Sequence, residues 1–275
     1  MIKYKWCVCD MDGTLLNSKG IITEENLIAL KKLELSGVEV ILASGRVGPM
    51  MKPFSEQLEL KGHTISCNGG LITNIKSGEI LYSNIMDKDI VIKIINYCFK
   101  NNVNFLVYAA NLVFSNKSNP LAKKYEYFNK TLSNNLRFPI NYIDCDTIKN
   151  IDNIDILKVL LICKDQNQVE LLENIFSKHN TLSVVSSANG LLDIMGSNTS
   201  KGNALKFLAK KLNVDLDNVI AFGDNYNDIE MLECVGLPIA MGNGVDSLKV
   251  KSKYVTKSNN ESGIAYAINN LILLK

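Results

Sequence analysis

Short apolar runs that stop at a small polar or glycine-bearing turn recur along this chain, and they restrict its fold more than any other feature. Residues 6–9, 38–42, 219–222 and 239–241 are largely apolar and too short for helices, so they are read as buried strands. Helix-length stretches separate the early ones. Thr23 precedes Glu24 and Glu25 as a cap with acids in the first turn, Leu27, Leu30 and Leu33 form a stripe, and Gly37 is a natural stop. A second helix is expected from about Pro49, with Met50, Phe54 and Leu58 four apart, followed by a strand at 64–67. Strand, helix, strand, helix, strand is the rhythm of a parallel α/β sheet.

The texture changes near Ser83. Helical patterns at 89–100, 120–133 and 169–178 alternate with strand-like runs at 104–108, 112–114, 156–163, 184–185 and 191–194. This predicts an inserted α+β domain over 83–187, an antiparallel sheet with helices on one face. The α/β rhythm then resumes, so residues 1–82 and 188–275 form the core. A helix opens at Lys201 with Leu205, Leu208 and Leu212 along one side, a short strand follows at 254–256, and a closing helix runs over 263–274.

Composition excludes several classes of function. With 275 residues and 47% hydrophobic content the chain can bury a substantial core. A net charge of +2 with no basic stripe argues against nucleic acid or a charged membrane surface as partner. No apolar run approaches a membrane span, and the N-terminus carries no signal-peptide pattern. Seven cysteines make an odd set for a disulfide framework, and Cys7, Cys9 and Cys163 sit inside strand-like runs. His63 and His179 are isolated and expected at the surface or in loops. A reducing, cytoplasmic setting is the expectation.

Each apolar run ends in a cluster that can carry chemistry. The first runs into Cys9-Asp10-Met11-Asp12-Gly13-Thr14, the second into Ala43-Ser44-Gly45-Arg46, the third into Asn68-Gly69-Gly70, and a later one into Gly223-Asp224-Asn225-Tyr226-Asn227-Asp228. In an open α/β sheet, ligands bind outside the carboxyl ends of the strands. Any one cluster alone reads as an ordinary polar turn, and Asp228 alone as an acid favoured at a helix start. Brought to one edge, Asp10, Asp12, Asp224 and Asp228 would repel one another unless protonated or neutralised by a cation. Carboxylate oxygens without paired His or Cys suit Mg²⁺ rather than zinc. Hydroxyl and amide donors at Ser44-Gly45, the Asn227 amide and the Lys201 ammonium suit a phosphate.

In these four motifs (Asp10 to Thr14, Ser44-Gly45-Arg46, Lys201-Gly202, and Gly223 to Asp228) the chain resembles the haloacid dehalogenase superfamily. Within it, the size and position of the insertion resemble the Cof-type phosphatases. Met11 stands where the family usually has Leu. The resemblance implies a Rossmann-like parallel core with an α+β cap that selects substrate. It implies Asp10 as nucleophile and metal ligand, and Asp12 as general acid and base with its carbonyl on the metal. Met11, Ser44, Gly45, Arg46, Lys201 and Asn227 would hold phosphate, and Asp224, Asn225 and Asp228 would complete the Mg²⁺ site.

The function expected is hydrolysis of a small phosphorylated metabolite, a sugar phosphate or a phosphorylated cofactor. Two other readings remain at this stage. A phosphosugar mutase shares the chemistry but returns the phosphoryl group to substrate. A phosphorylatable regulatory module also sets an Asp on a sheet edge beside Mg²⁺, but lacks a cap and an acid two residues beyond the nucleophile.

Overall fold

The computed structural model describes residues 3–273, so Met1, Ile2 and the expected helix end at Leu274 lie outside the described residues. The chain divides into two compact units. The first takes the stretch that ends at Gly45, then Phe54–Tyr82, then everything from Ser200 onward; the second takes Arg46–Pro53 and Ser83–Thr199.

The first unit is organised on β1 (Trp6–Asp10), with β2 (Glu39–Ala43), β3 (His63–Ser66), β4 (Leu71–Asn74) and β5 (Ile80–Ser83) on one side. Every residue of β1 is buried, as its unbroken apolar run requires. Between β1 and β2, α1 (Glu24–Leu35) starts at the Thr23 cap, whose side chain accepts from the Asn26 N–H, and chain reversal uses Gly37 at φ 83°. Next comes α2 (Gly48–Gln57), which contains Pro53, the residue after which the two units divide. Proline has no N–H to continue the helical ladder.

The second unit contains α3 (Lys88–Lys100), β6 (Asn104–Ala109), β7 (Val113–Ser115), α4 (Pro120–Thr131), β8 (Ile140–Tyr142), β9 (Ile156–Ile162), α5 (Gln166–Phe176), β10 (Leu182–Ala188) and β11 (Leu191–Gly196). Its sheet order is β10-β11-β9-β6-β7-β8. Among the described residues its strand pairings are antiparallel except β7 with β8. One apolar cluster joins Val91 and Ile94 of α3 and Val169 and Leu172 of α5 to Phe105, Val107, Val159 and Leu161 of the sheet, as expected for helices on one face.

The first unit resumes with α6 (Lys201–Leu212), β12 (Val219–Gly223), α7 (Ile229–Glu233), β13 (Leu237–Ala240), α8 (Asp246–Lys251), β14 (Tyr254–Val255) and α9 (Gly263–Ala267), which passes into a wider turn at Ile268–Ile272. Its eight strands run β14-β13-β12-β1-β2-β3-β4-β5, parallel from β14 to β3 and reversing at β4. No helix of the described residues is long and apolar enough to cross a membrane.

Several local expectations shift. The strand pair β10–β11 keeps the chain in the second unit to Thr199, beyond the residue 187 boundary read from sequence, because its pairing with β9 runs through Met195. The strands β4, β5 and β8 carried no sequence signal; β5 and β8 are sheet edges, where half-exposed polar residues blur the pattern. His63 is buried at the start of β3, with Nδ1 2.7 Å from Glu39 Oε1, and is not a surface residue.

Candidate active site

The parallel register puts the polar strand ends together. Asp10 is the last residue of β1 and pairs in register with Ala43, so Ser44 and Gly45 follow beside it. Cys9 pairs with Phe222, which brings the turn after Gly223 to the same edge. The chain leaves Asp10 through a tight turn in which Leu15 N donates to Asp10 O and Leu16 N donates to Met11 O. Gly13 takes φ 86° there, and a Cβ on it would lie 2.4 Å from Asp224 Oδ2. Glycine is therefore required twice over, by conformation and by space. Thr14 Oγ1 donates to Asp224 Oδ1 at 2.6 Å, and the Asn243 amide donates to Gly13 O at 2.8 Å.

Lys201 opens α6 and is fully buried. Its Nζ donates to Asp10 Oδ1 at 2.5 Å and to Asp228 Oδ1 at 2.7 Å. The other Asp228 oxygen accepts the N–H groups of Asp224 and Asn225, both at 3.0 Å. Asp228 thus ties the lysine to the loop that carries Asp224. Burial opposes charge on Lys201, but Asp10 and Asp228 outweigh it and hold the ammonium above its ordinary range. Burial pushes the Asp10 carboxyl well up, Asp228 adds to this, and Lys201 partly offsets it. Burial and Asp228 likewise raise Asp224 to about 6, against the Thr14 hydrogen bond.

Oxygens of Asp10, Asp224 and Asp228 lie within 4.8 Å of one another. Three carboxylates and one lysine leave an excess of negative charge, and an all-oxygen donor set of this kind suits a hard divalent cation. Asp12 is not in that trio; it stands exposed on the turn, its backbone bridged to Leu16. Asn225 caps the following turn, its Oδ1 accepting from Tyr226 N at 2.8 Å. The Met11 side chain is fully buried, and Ser44 N is engaged with Ile65 O at 2.8 Å. Asn227 Nδ2 donates to Asn68 Oδ1 at 3.1 Å. Arg46 falls in the second unit.

Two features of the site were not read from sequence. Ser200 caps α6 by accepting from Asn203 N, and its hydroxyl donates to Glu230 Oε2 at 2.5 Å, fastening the helix of Lys201 to α7. Asn259 donates to Leu16 O at 2.8 Å and gives its N–H to Asn243 Oδ1 at 2.9 Å, bracing the turn after β1. The Gly242-Asn243-Gly244 cluster at a strand end was the available signal for the second.

Comparison with known proteins completes the description. Residues 7–268 match the family model of haloacid dehalogenase-like hydrolases. A Streptococcus pyogenes relative is 35% identical over 276 residues, covering 98% of each chain. A Bacillus subtilis 5-amino-6-(5-phospho-D-ribitylamino)uracil phosphatase is 29% identical over 288 residues, again covering 98% of each. The crystal structure of a haloacid dehalogenase-like hydrolase from Bacteroides thetaiotaomicron superposes with a TM-score of 0.85 at 28% identity, covering 98% of this chain and all of that one (100%).

Proposed function

We propose that this chain, which belongs to the haloacid dehalogenase-like hydrolase family, is a Mg²⁺-dependent phosphatase that works through an aspartyl-phosphate on Asp10. It is a hydrolase acting on phosphoric monoesters of metabolites. The observation that carries the mechanism is the buried Asp10 carboxylate at a strand end, held by Lys201 at 2.5 Å beside Asp224 and Asp228.

An Asp10 oxygen attacks the phosphorus of the ester while the bond to the leaving oxygen breaks on the opposite side. Asp12, exposed on the turn two residues later, gives its proton to that departing alkoxide. Asp12 then takes a proton from water, the water oxygen attacks the phosphorus, and the Asp10–phosphorus bond breaks to release inorganic phosphate. Lys201 holds the reacting carboxylate in place, and Ser44, Gly45, Asn227 and the Met11 amide bind the phosphoryl oxygens. Mg²⁺ held by Asp10 and Asp224, with the Asp12 carbonyl and with Asp228 and Asn225 nearby, would screen the repulsion between carboxylate and phosphate. The raised Asp10 and Asp224 carboxyls support this assignment, since a cation is what such a cluster lacks.

The inserted unit is assigned the choice of substrate. The name of the Bacillus subtilis relative puts a phosphate on a ribityl chain. Phosphorylated sugars and polyols are accordingly the class to assay first.

The Asp12→Asn variant tests the mechanism. A metabolite ester has a poor leaving group, so its turnover should fall by roughly 10²–10⁴-fold. An aryl phosphate needs little proton donation, so one equivalent of aryl alcohol should appear in a burst and phosphate should remain on Asp10. Rapid quench with intact-mass measurement reads both. Absence of burst and phosphoenzyme, with Mg²⁺ and substrate bound, rules out the shared acid–base role.

A further inference from the structure

The turn that follows β3 departs from ordinary backbone geometry. Cys67 and Asn68 both adopt left-handed φ values, 52° and 55°, and Gly69 follows at 98°. Two successive side-chain-bearing residues in that region are uncommon, and such positions persist only where the surroundings hold them. Gly69 has an evident reason for its identity, since a Cβ there would lie 2.2 Å from Ser200 O. Asn68 does not share that reason. Glycine would sit at its φ with less cost, although Asn tolerates the left-handed region better than most residues.

The Asn68 side chain shows what is gained. It is 2% exposed, and its Oδ1 accepts from Asn227 Nδ2 at 3.1 Å. The same carboxamide overlies Gly45, where an added Cβ would be 2.9 Å from Oδ1. Its backbone N–H donates to Ser44 O at 2.9 Å. One step on, Gly69 abuts Ser200, the residue that precedes Lys201. The turn therefore touches the Ser44-Gly45 segment, Asn227 and the start of α6, three segments that approach the site from different parts of the chain.

We propose that Asn68 is a positioning residue for phosphate recognition: its carboxamide orients the Asn227 amide. This rests on the reading that Ser44, Gly45 and Asn227 bind the phosphoryl group. A carbonyl acceptor fixed at 3.1 Å leaves the Asn227 carboxamide one orientation, with its NH₂ toward Asn68. A glycine at 68 keeps the backbone and deletes that acceptor.

Asn68→Gly separates the role from a structural one, because it relieves the left-handed backbone while removing the side chain. The expected result is a Tm close to that of the parent, relief of the left-handed backbone offsetting the lost hydrogen bond, with KM for an aryl phosphate and Ki for inorganic phosphate both raised about tenfold. Because Asn68 acts through Asn227, the double variant Asn68→Gly/Asn227→Ala should lose no more than Asn227→Ala alone. An Asn68→Gly enzyme with unchanged KM and Ki overturns the proposal, whatever its Tm. If Asn227→Ala raises both constants in that case, phosphate binding by Asn227 stands and only the role of Asn68 is lost. If neither variant moves them, the assignment of Asn227 falls and takes the proposal with it. Fully additive losses would also overturn it.

Discussion

Each unit buries a lysine against a carboxylate, and the two burials differ in kind. Lys201 lies beyond the strand ends of the parallel sheet, bonded to Asp10 and Asp228, with Asp224 in the same cluster. Lys158 lies inside a strand of the second sheet, its Nζ 2.8 Å from Asp193 Oδ1 on the neighbouring strand and 4.7 Å from the centre of the Tyr108 ring. In the first place acids outnumber the lysine and backbone amides of a loop join in, so the cluster is suited to receive a cation and an anion together. In the second, one lysine meets one aspartate across a sheet ladder. A strand end gathers groups from distant segments; a strand interior can only match what its neighbours present.

Substitutions at the two places should separate chemistry from stability. Asp10→Asn should lower turnover of an aryl phosphate by roughly 10⁴-fold or more, while far-UV circular dichroism stays unchanged. Near-normal turnover in a mass-verified sample would remove Asp10 as nucleophile. Lys158→Met should act the other way. Leaving Asp193 buried without its lysine should cost about 3–5 kcal/mol in denaturant unfolding, with kcat on the same aryl phosphate within about twofold. A large loss of kcat at parental stability would erase that distinction.

The acid cluster should also show itself in pH-dependent stability. The Asp224 carboxyl is raised from 3.8 to about 6 in the folded chain, and Asp10 shifts in the same direction. Folding then favours the protonated acids, so their contribution is full below about pH 4 and is lost as pH rises through about 6. Metal-free protein should melt at a lower temperature at pH 7 than at pH 5. Added Mg²⁺ should raise Tm more at pH 7, where the carboxylates are charged. Equal Mg²⁺ shifts at both pH values would count against the cluster as the metal site.

The smallest effect compares two helix caps. Ser200 accepts from Asn203 N at the start of α6, and Asp165 accepts from Gln168 N at the start of α5. Ser200→Ala and Asp165→Ala should each cost about 1 kcal/mol of stability. Only the first should also raise KM for an aryl phosphate, since α6 begins with Lys201. Equal KM values would show that the cap does not govern the lysine.

The parallel core and the polar clusters gathered at its strand ends are legible because each motif is local. A short apolar run, a turn residue and an acid can be read within a few positions, as at Asp10, Asp224 and the Ser44-Gly45 turn. Lys201 needed the other motifs to give it meaning. The edges of both sheets were not legible, since β5 and β8 mix polar and apolar residues without a clean period. Nor was the Lys158–Asp193 pair, because a charge within a strand reads as a solvent-facing position until the partner strand is known. Asn68 was visible as a turn residue, but its hydrogen bond to Asn227 joins positions 159 apart in sequence. Contacts of that span leave no periodic trace.

The discontinuity of the first unit has a consequence for how the protein comes into being on the ribosome. The strand β1 sits between β2 and β12, with Val8 opposite both Ile41 and Ala221. The second unit is encoded wholly between those partners, so all of it is synthesised before β12. At roughly 5–20 residues per second, one flank of the central strand waits about 10–40 s for its neighbour. During that interval the nascent chain carries an apolar strand with an open edge, the kind of surface that pairs with other chains. Asp10 likewise precedes its hydrogen-bond partner Lys201 by 191 residues, and Asp224 and Asp228 come later still. The stretch from Lys201 to Asp228 therefore closes the open edge of β1 and completes the acid–lysine cluster together.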